Sequence, residues 1–95
     1  MEIIWTVDAE SDLVGNVNYL INEWSEKSAR NLIAEIDSVI ELIQTNYDLF
    51  PICEIPLVRK AVVRRHISLY YKIDGAKFYV LRIWNNYKNP GSLRV

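Results

Sequence analysis

The chain has 95 residues, 51% of them hydrophobic and 24% charged, and its formal net charge is −1. That length supports one hydrophobic core, so residues 1–95 read as a single globular domain. One cysteine, Cys53, rules out an intrachain disulfide and a cysteine-rich zinc site.

No apolar run approaches the roughly 20 residues of a membrane-spanning helix. The opening MEIIWTVDAESD also lacks a basic start followed by a long apolar stretch. No membrane partner is read, and a cytoplasmic location is the expectation.

In chain order, EIIWTV at residues 2–7 is a short β-rich run and predicts a strand. Asp8 is the predicted N-cap of a first helix, whose apolar face carries Leu13, Val14, Val17, Leu20, Ile21 and Trp24 at spacings of three and four. Gly15 weakens that helix without ending it. Ser25 is the predicted cap of a second helix, with Ala29, Leu32, Ile33, Ile36, Val39, Ile40 and Ile43 as a wide apolar stripe. The two helices should lie antiparallel across a tight turn.

NYDLFPICEIP, residues 46–56, has two prolines and no steady period, which predicts a loop from the helices to a sheet. Strands are then predicted at about 57–63, 67–73 and 76–84, with Asp74-Gly75 as the hairpin turn. That turn sets Ile73 opposite Ala76, Tyr71 opposite Phe78, Leu69 opposite Val80 and Ile67 opposite Arg82 on the core face. The outer face would pair Lys72 with Lys77, Tyr70 with Tyr79, Ser68 with Leu81 and His66 with Ile83.

Charge divides sharply along the chain. Residues 1–58 hold two cations against eleven carboxylates, a balance of −9, and residues 59–95 hold nine cations against Asp74 alone, +8. Either the acidic helices neutralise a basic sheet internally, or the basic half is held ready for an anionic partner.

The helix patterns DLVGNVNYLINEW and SARNLIAEIDSVIELI, the basic strand VRKAVV, the hairpin LYYKIDGAKFYVLRIW and the terminal NNYKNP together resemble the RelE/ParE superfamily of bacterial type II toxins. The resemblance implies an α+β fold of order β-α-α-β-β-β, with a helical hairpin packed on a small, mainly antiparallel, curved sheet. Commoner members end their last strand with an arginine, two apolar residues, a histidine and a basic pair before an acidic residue and proline. Arg82 and Pro90 fit that pattern; Asn85 replaces the histidine, and Tyr87 with Lys88 replaces the basic pair.

The same resemblance implies a growth-inhibiting toxin neutralised by a cognate antitoxin, with which it could form a hetero-oligomer. Members resembling ParE poison DNA gyrase by binding, and members resembling RelE cleave messenger RNA on the ribosome. A third alternative is a non-toxic structural or adaptor domain that kept the fold. Cleavage would need a base for the ribose hydroxyl, cations for the phosphorane and an acid for the leaving oxygen.

The candidates for such a site are Arg64, Arg65, Arg82 and Tyr87, and Lys60 and Lys88 join them as target-binding residues. Each has a plainer reading. Arg64, Arg65 and His66 fall at a strand bend where exposed polar residues need no function, and Arg82 could pair with a helix carboxylate. Trp84 reads as core, and Cys53 as a small buried hydrophobe rather than a nucleophile. No cofactor or metal is implied. A sequence pI of about 5.8 favours the binding poison, because docking into ribosomal RNA draws on cationic charge.

Overall fold

A computed structural model of the chain describes residues 1–88, 91 and 93; Pro90 of the terminal pattern lies outside the described residues. The elements are β1 (Glu2–Trp5), α1 (Val7–Glu23), α2 (Glu26–Thr45), β2 (Arg59–Arg64), β3 (Ile67–Asp74) and β4 (Lys77–Asn85). The strands form one sheet in the order β1-β4-β3-β2, antiparallel except where β1 runs parallel to β4. Both helices pack on one face of it, so the architecture is the predicted α+β one. Among the described residues no helix is long and apolar enough to cross a membrane.

α1 begins earlier than expected because Thr6, not Asp8, is its N-cap. The Thr6 hydroxyl oxygen accepts the Ala9 N–H at 3.1 Å, and the same hydroxyl lies 2.9 Å from the Leu81 carbonyl, to which it donates. The cap is thereby pinned to β4. Asp8 lies in the first turn, where a carboxylate still suits the helix dipole.

The buried face of α1 is also rotated from the predicted one. Ala9, Asn16 and Leu20 are buried, whereas Val14, Ile21 and Trp24 of the expected apolar stripe are 59%, 46% and 74% exposed. The rotation turns Asp12 and Asn16 towards β4, where they satisfy main-chain groups.

α2 starts at the predicted cap, with the Ser28 N–H donating to Ser25 Oγ at 3.0 Å. Its residues Ala29, Leu32, Ile36, Ile40 and Ile43 recur at three and four and are buried; Ile33, expected in the stripe, lies at its margin and is exposed. They close over Leu69, Tyr71, Phe78, Val80 and Ile83. Each such side chain contributes roughly 1.5–3 kcal/mol when fully buried. Tyr71 keeps its hydroxyl satisfied by donating to the Tyr47 carbonyl at 2.9 Å.

The turn of the β3–β4 hairpin forms one residue later than predicted, which moves each cross-strand partner by two residues and keeps the faces as expected up to Val80. Asp74 pairs with Lys77, so the turn is Gly75-Ala76, with Gly75 at φ 60° as the first central residue of a type II′ turn demands. Lys72 therefore faces Tyr79, its ammonium 5.5 Å from the ring centre, and the predicted lysine–lysine and tyrosine–tyrosine pairs do not form.

A bulge then inserts Leu81 as an extra residue, since Tyr71 pairs with Val80 but Tyr70 with Arg82. The bulge reverses the parity of the end of β4. Ile83 and Asn85 become buried instead of Arg82 and Trp84.

The 46–58 connection contains a small hairpin of its own. Cys53 N–H donates to the Val58 carbonyl at 2.8 Å and Lys60 N–H to the Pro51 carbonyl at 3.0 Å. This covers the start of β2, an edge strand that would otherwise expose unpaired main-chain groups.

Candidate functional site

β1 pairs with β4 only as far as Val80, and α1 takes over the edge beyond it. Asp12 Oδ2 accepts the Ile83 N–H at 3.0 Å, and Asn16 Nδ2 donates to the Ile83 carbonyl at 3.3 Å. Two side chains one helical turn apart thus replace a strand. Asp12 also grips Arg82 with both oxygens, at 2.7 Å from Nε and 2.8 Å from Nη2. That hydrogen bonding raises the arginine's proton affinity above its ordinary value, against the opposing effect of burial.

Asn85 continues the same chain of contacts. Its amide donates to Asn16 Oδ1 at 3.0 Å, and its own oxygen accepts the N–H groups of Tyr87 at 2.9 Å and Lys88 at 3.0 Å. The residue is 6% exposed, so these bonds offset a desolvation that would otherwise cost stability. The turn after β4 is thereby fixed relative to α1. Asn86 N–H reaches the His66 carbonyl at 2.8 Å, and the Tyr87 ring lies 5.6 Å from the His66 ring.

Lys88 folds back on α1, donating to the Gly15 carbonyl at 3.1 Å with its ammonium 5.7 Å from the Tyr19 ring centre. A Cβ at Gly15 would come 3.3 Å from that ammonium, a contact that a small shift of the lysine end would relieve. Sequence reasoning saw only the glycine's helix-weakening effect.

Arg64, Arg65, His66 and Tyr87 meet in a groove of about 340 Å³ between the β2–β3 turn and the C-terminal end of α1. Its floor is Leu20 and Ile67, and the exposed Trp24 stands at its rim. Arg64 is tied to Glu35 of α2 at 2.7 Å, whereas Arg65 is exposed and makes no ion pair among the described residues.

The remaining candidates lie elsewhere. Arg82 is on β4 in its ion pair, and Lys60 lines a larger cleft of about 650 Å³ with Ile52, Cys53 and Tyr70, its ammonium 6.0 Å from the Tyr70 ring centre. The larger cleft gathers only one candidate, so its size carries less than the convergence in the smaller groove. Trp24 and Tyr19 were missed by sequence reasoning; Trp24 repeats at helical spacing with the apolar residues and reads as core. Among the described residues no group of three metal-ligating side chains occurs.

The family model for the ParE toxin of type II toxin–antitoxin system, parDE, matches residues 3–90. The chain belongs to the ParE toxin family. Among solved structures, this ParE-family chain is similar to the chromosomal ParDE toxin–antitoxin system of P. aeruginosa, with 22% identity, 90% of this chain and 95% of that one covered, and a TM-score of 0.76. It is also similar to the YoeB/ParE toxin of Agrobacterium tumefaciens, at 9% identity, coverage of 90% and 98%, and a TM-score of 0.67. A further similarity is to the toxin fold in the E. coli DinJ-YafQ complex, at 14% identity, coverage of 95% and 98%, and a TM-score of 0.62. No curated protein sequence matches the chain. At these identities the structural matches speak for the RelE/ParE fold, and the family match identifies the chain as a type II toxin.

Proposed function

We propose that this protein is a ParE-like toxin that inhibits bacterial growth by binding DNA gyrase, and that a cognate antitoxin neutralises it. The observation that carries this reading is the engagement of Arg82 by Asp12 through two hydrogen bonds. A nuclease would need the strand cations free to meet a phosphorane. Here Arg82 answers to α1, Arg64 to Glu35 of α2, and Arg59 to the Phe50 carbonyl at 2.7 Å. Two strand cations, Arg64 and Arg82, are thus neutralised by carboxylates of the acidic helices. Asn85, in the place where commoner members carry histidine, is a buried neutral amide whose bonds hold a turn, and it transfers no proton.

One observation favours the second reading, a ribosome-dependent nuclease. His66 and Tyr87 sit ring to ring beside Arg65, which groups a stacking surface, proton-transfer groups and an available cation. For either reading, expression of the protein alone should arrest bacterial growth and co-expression of the antitoxin should relieve it. Normal growth with confirmed soluble protein would favour the adaptor alternative.

A further inference from the structure

The turn Ile55-Pro56-Leu57-Val58 closes the small hairpin before β2, with the Val58 N–H donating to the Ile55 carbonyl at 3.1 Å. Pro56 occupies its first central position and Leu57 the second, at φ 66°. This is the pattern of a type II turn, whose second central residue is ordinarily glycine or asparagine. Leucine is poorly suited to that conformation, because its Cβ crowds the main chain and it has no polar group to compensate. Leu57 is the one non-glycine residue at positive φ among the described residues, and it is also 80% exposed. Neither packing nor main-chain geometry accounts for a leucine there.

The turn is held firmly. Cys53 and Lys60 N–H groups tie the base of the hairpin, and the Ile55 N–H lies 3.4 Å from Cys53 Sγ, to which it donates. Proline at 56 restricts both itself and Ile55. Ile52, on the same hairpin, is 56% exposed. An apolar side chain presented on a stiff turn is a preorganised anchor, since little freedom is lost when it is buried by a partner. Strain of this kind concentrates at functional positions.

We propose that Leu57 is the apolar anchor with which this toxin grips the protein it poisons, in a pocket of that protein rimmed by cations. The charge at the tip supplies the second half of the argument. Glu54, next to the turn, is exposed and makes no ion pair among the described residues, so the complementary surface is basic. An enzyme that handles DNA offers such surfaces. The choice of target rests on the gyrase reading above.

Leu57→Gly separates presentation from folding, because glycine adopts the same φ without strain. The variant should melt at or above the wild-type temperature. Inhibition of supercoiling by purified gyrase should require roughly 10- to 100-fold more of it, the value of burying one leucine. Leu57→Asn, which also tolerates this φ, should behave alike, and Glu54→Lys should weaken inhibition on its own. Wild-type potency of a folded Leu57→Gly overturns the proposal, as does a variant that poisons normally but escapes a co-expressed antitoxin. If wild-type protein leaves gyrase unaffected, the gyrase reading falls by itself. Growth arrest by Leu57→Gly against wild type then decides the turn's role: weakened arrest at equal expression upholds it, and equal arrest overturns it.

Discussion

Asp12 and Arg82, separated by 70 residues in sequence, form a two-pronged ion pair with side chains only 14% and 17% exposed, and Asp12 also accepts the Ile83 N–H. The pair joins α1 to the end of β4. Removing Asp12 takes the carboxylate from a poorly hydrated guanidinium and the acceptor from the Ile83 N–H. Asp12→Ala should therefore cost about 3 kcal/mol in urea unfolding. A double-mutant cycle with Arg82→Ala should show coupling well above that of a surface pair. Additive single effects would place the Asp12 contribution in the main-chain bond alone.

Asn85 should matter to the turn after β4 more than to the core. Asn85→Ala removes the acceptor of the Tyr87 and Lys88 N–H groups and the donor to Asn16, and should cost about 2 kcal/mol. Faster amide exchange at Tyr87 and Lys88, with protection in β3 unchanged, is the expected signature. Exchange that rises uniformly across the sheet would contradict a local role.

Arg65 is the groove arginine that makes no ion pair among the described residues, so it is the place to test electrostatic steering of the antitoxin. Arg65→Glu should slow association several-fold at low salt, with the effect fading once the Debye length falls below about 8 Å. Arg64 is less suitable, because reversing it also sets a new carboxylate beside Glu35. An association rate unchanged at low salt would move the antitoxin surface away from this groove.

Tyr71 links stability to alkaline pH. Burial raises its phenol pKa above the ordinary 10.0, with Arg59 opposing the shift. At pH above that ordinary value the unfolded chain loses the proton while the native one keeps it. Stability should then fall as pH rises past about 10, levelling off only above the native pKa. Tyr71→Phe should flatten this part of the profile while losing the hydrogen bond to Tyr47. An unchanged alkaline slope in Tyr71→Phe would assign it to other groups.

The order of elements was readable because each rests on local chemistry. Ser25 caps α2, and the stripe from Ala29 to Ile43 keeps helical spacing through to its end. The register of the β3–β4 hairpin was not readable, because Asp74-Gly75 and Gly75-Ala76 both place glycine in a two-residue turn and only packing chooses between them. The bulge at Leu81 leaves no mark in an apolar strand. It decides, however, which of Arg82 and Ile83 is buried, and with it the shape of the site.

The sequence did offer one unused signal. Asp12 and Asn16 are polar residues at helical spacing between Ala9, Leu13 and Leu20, a pattern that fits a helix face turned to a strand edge rather than to an apolar core. Trp24 misled in the opposite sense, since its spacing says core while its place at the end of α1 leaves it 74% exposed.

Poisoning of gyrase by binding, as proposed above, and cleavage of RNA on the ribosome leave different products. Purified protein added to DNA gyrase with relaxed plasmid and ATP, in parallel with ribosomes programmed with a defined message, reads both possibilities in one experiment. Impaired supercoiling with the message left intact is the result expected of a toxin that poisons by binding. Normal supercoiling together with cleavage of the message at codon-spaced positions would contradict that reading and assign His66, Tyr87 and Arg65 to a nuclease site.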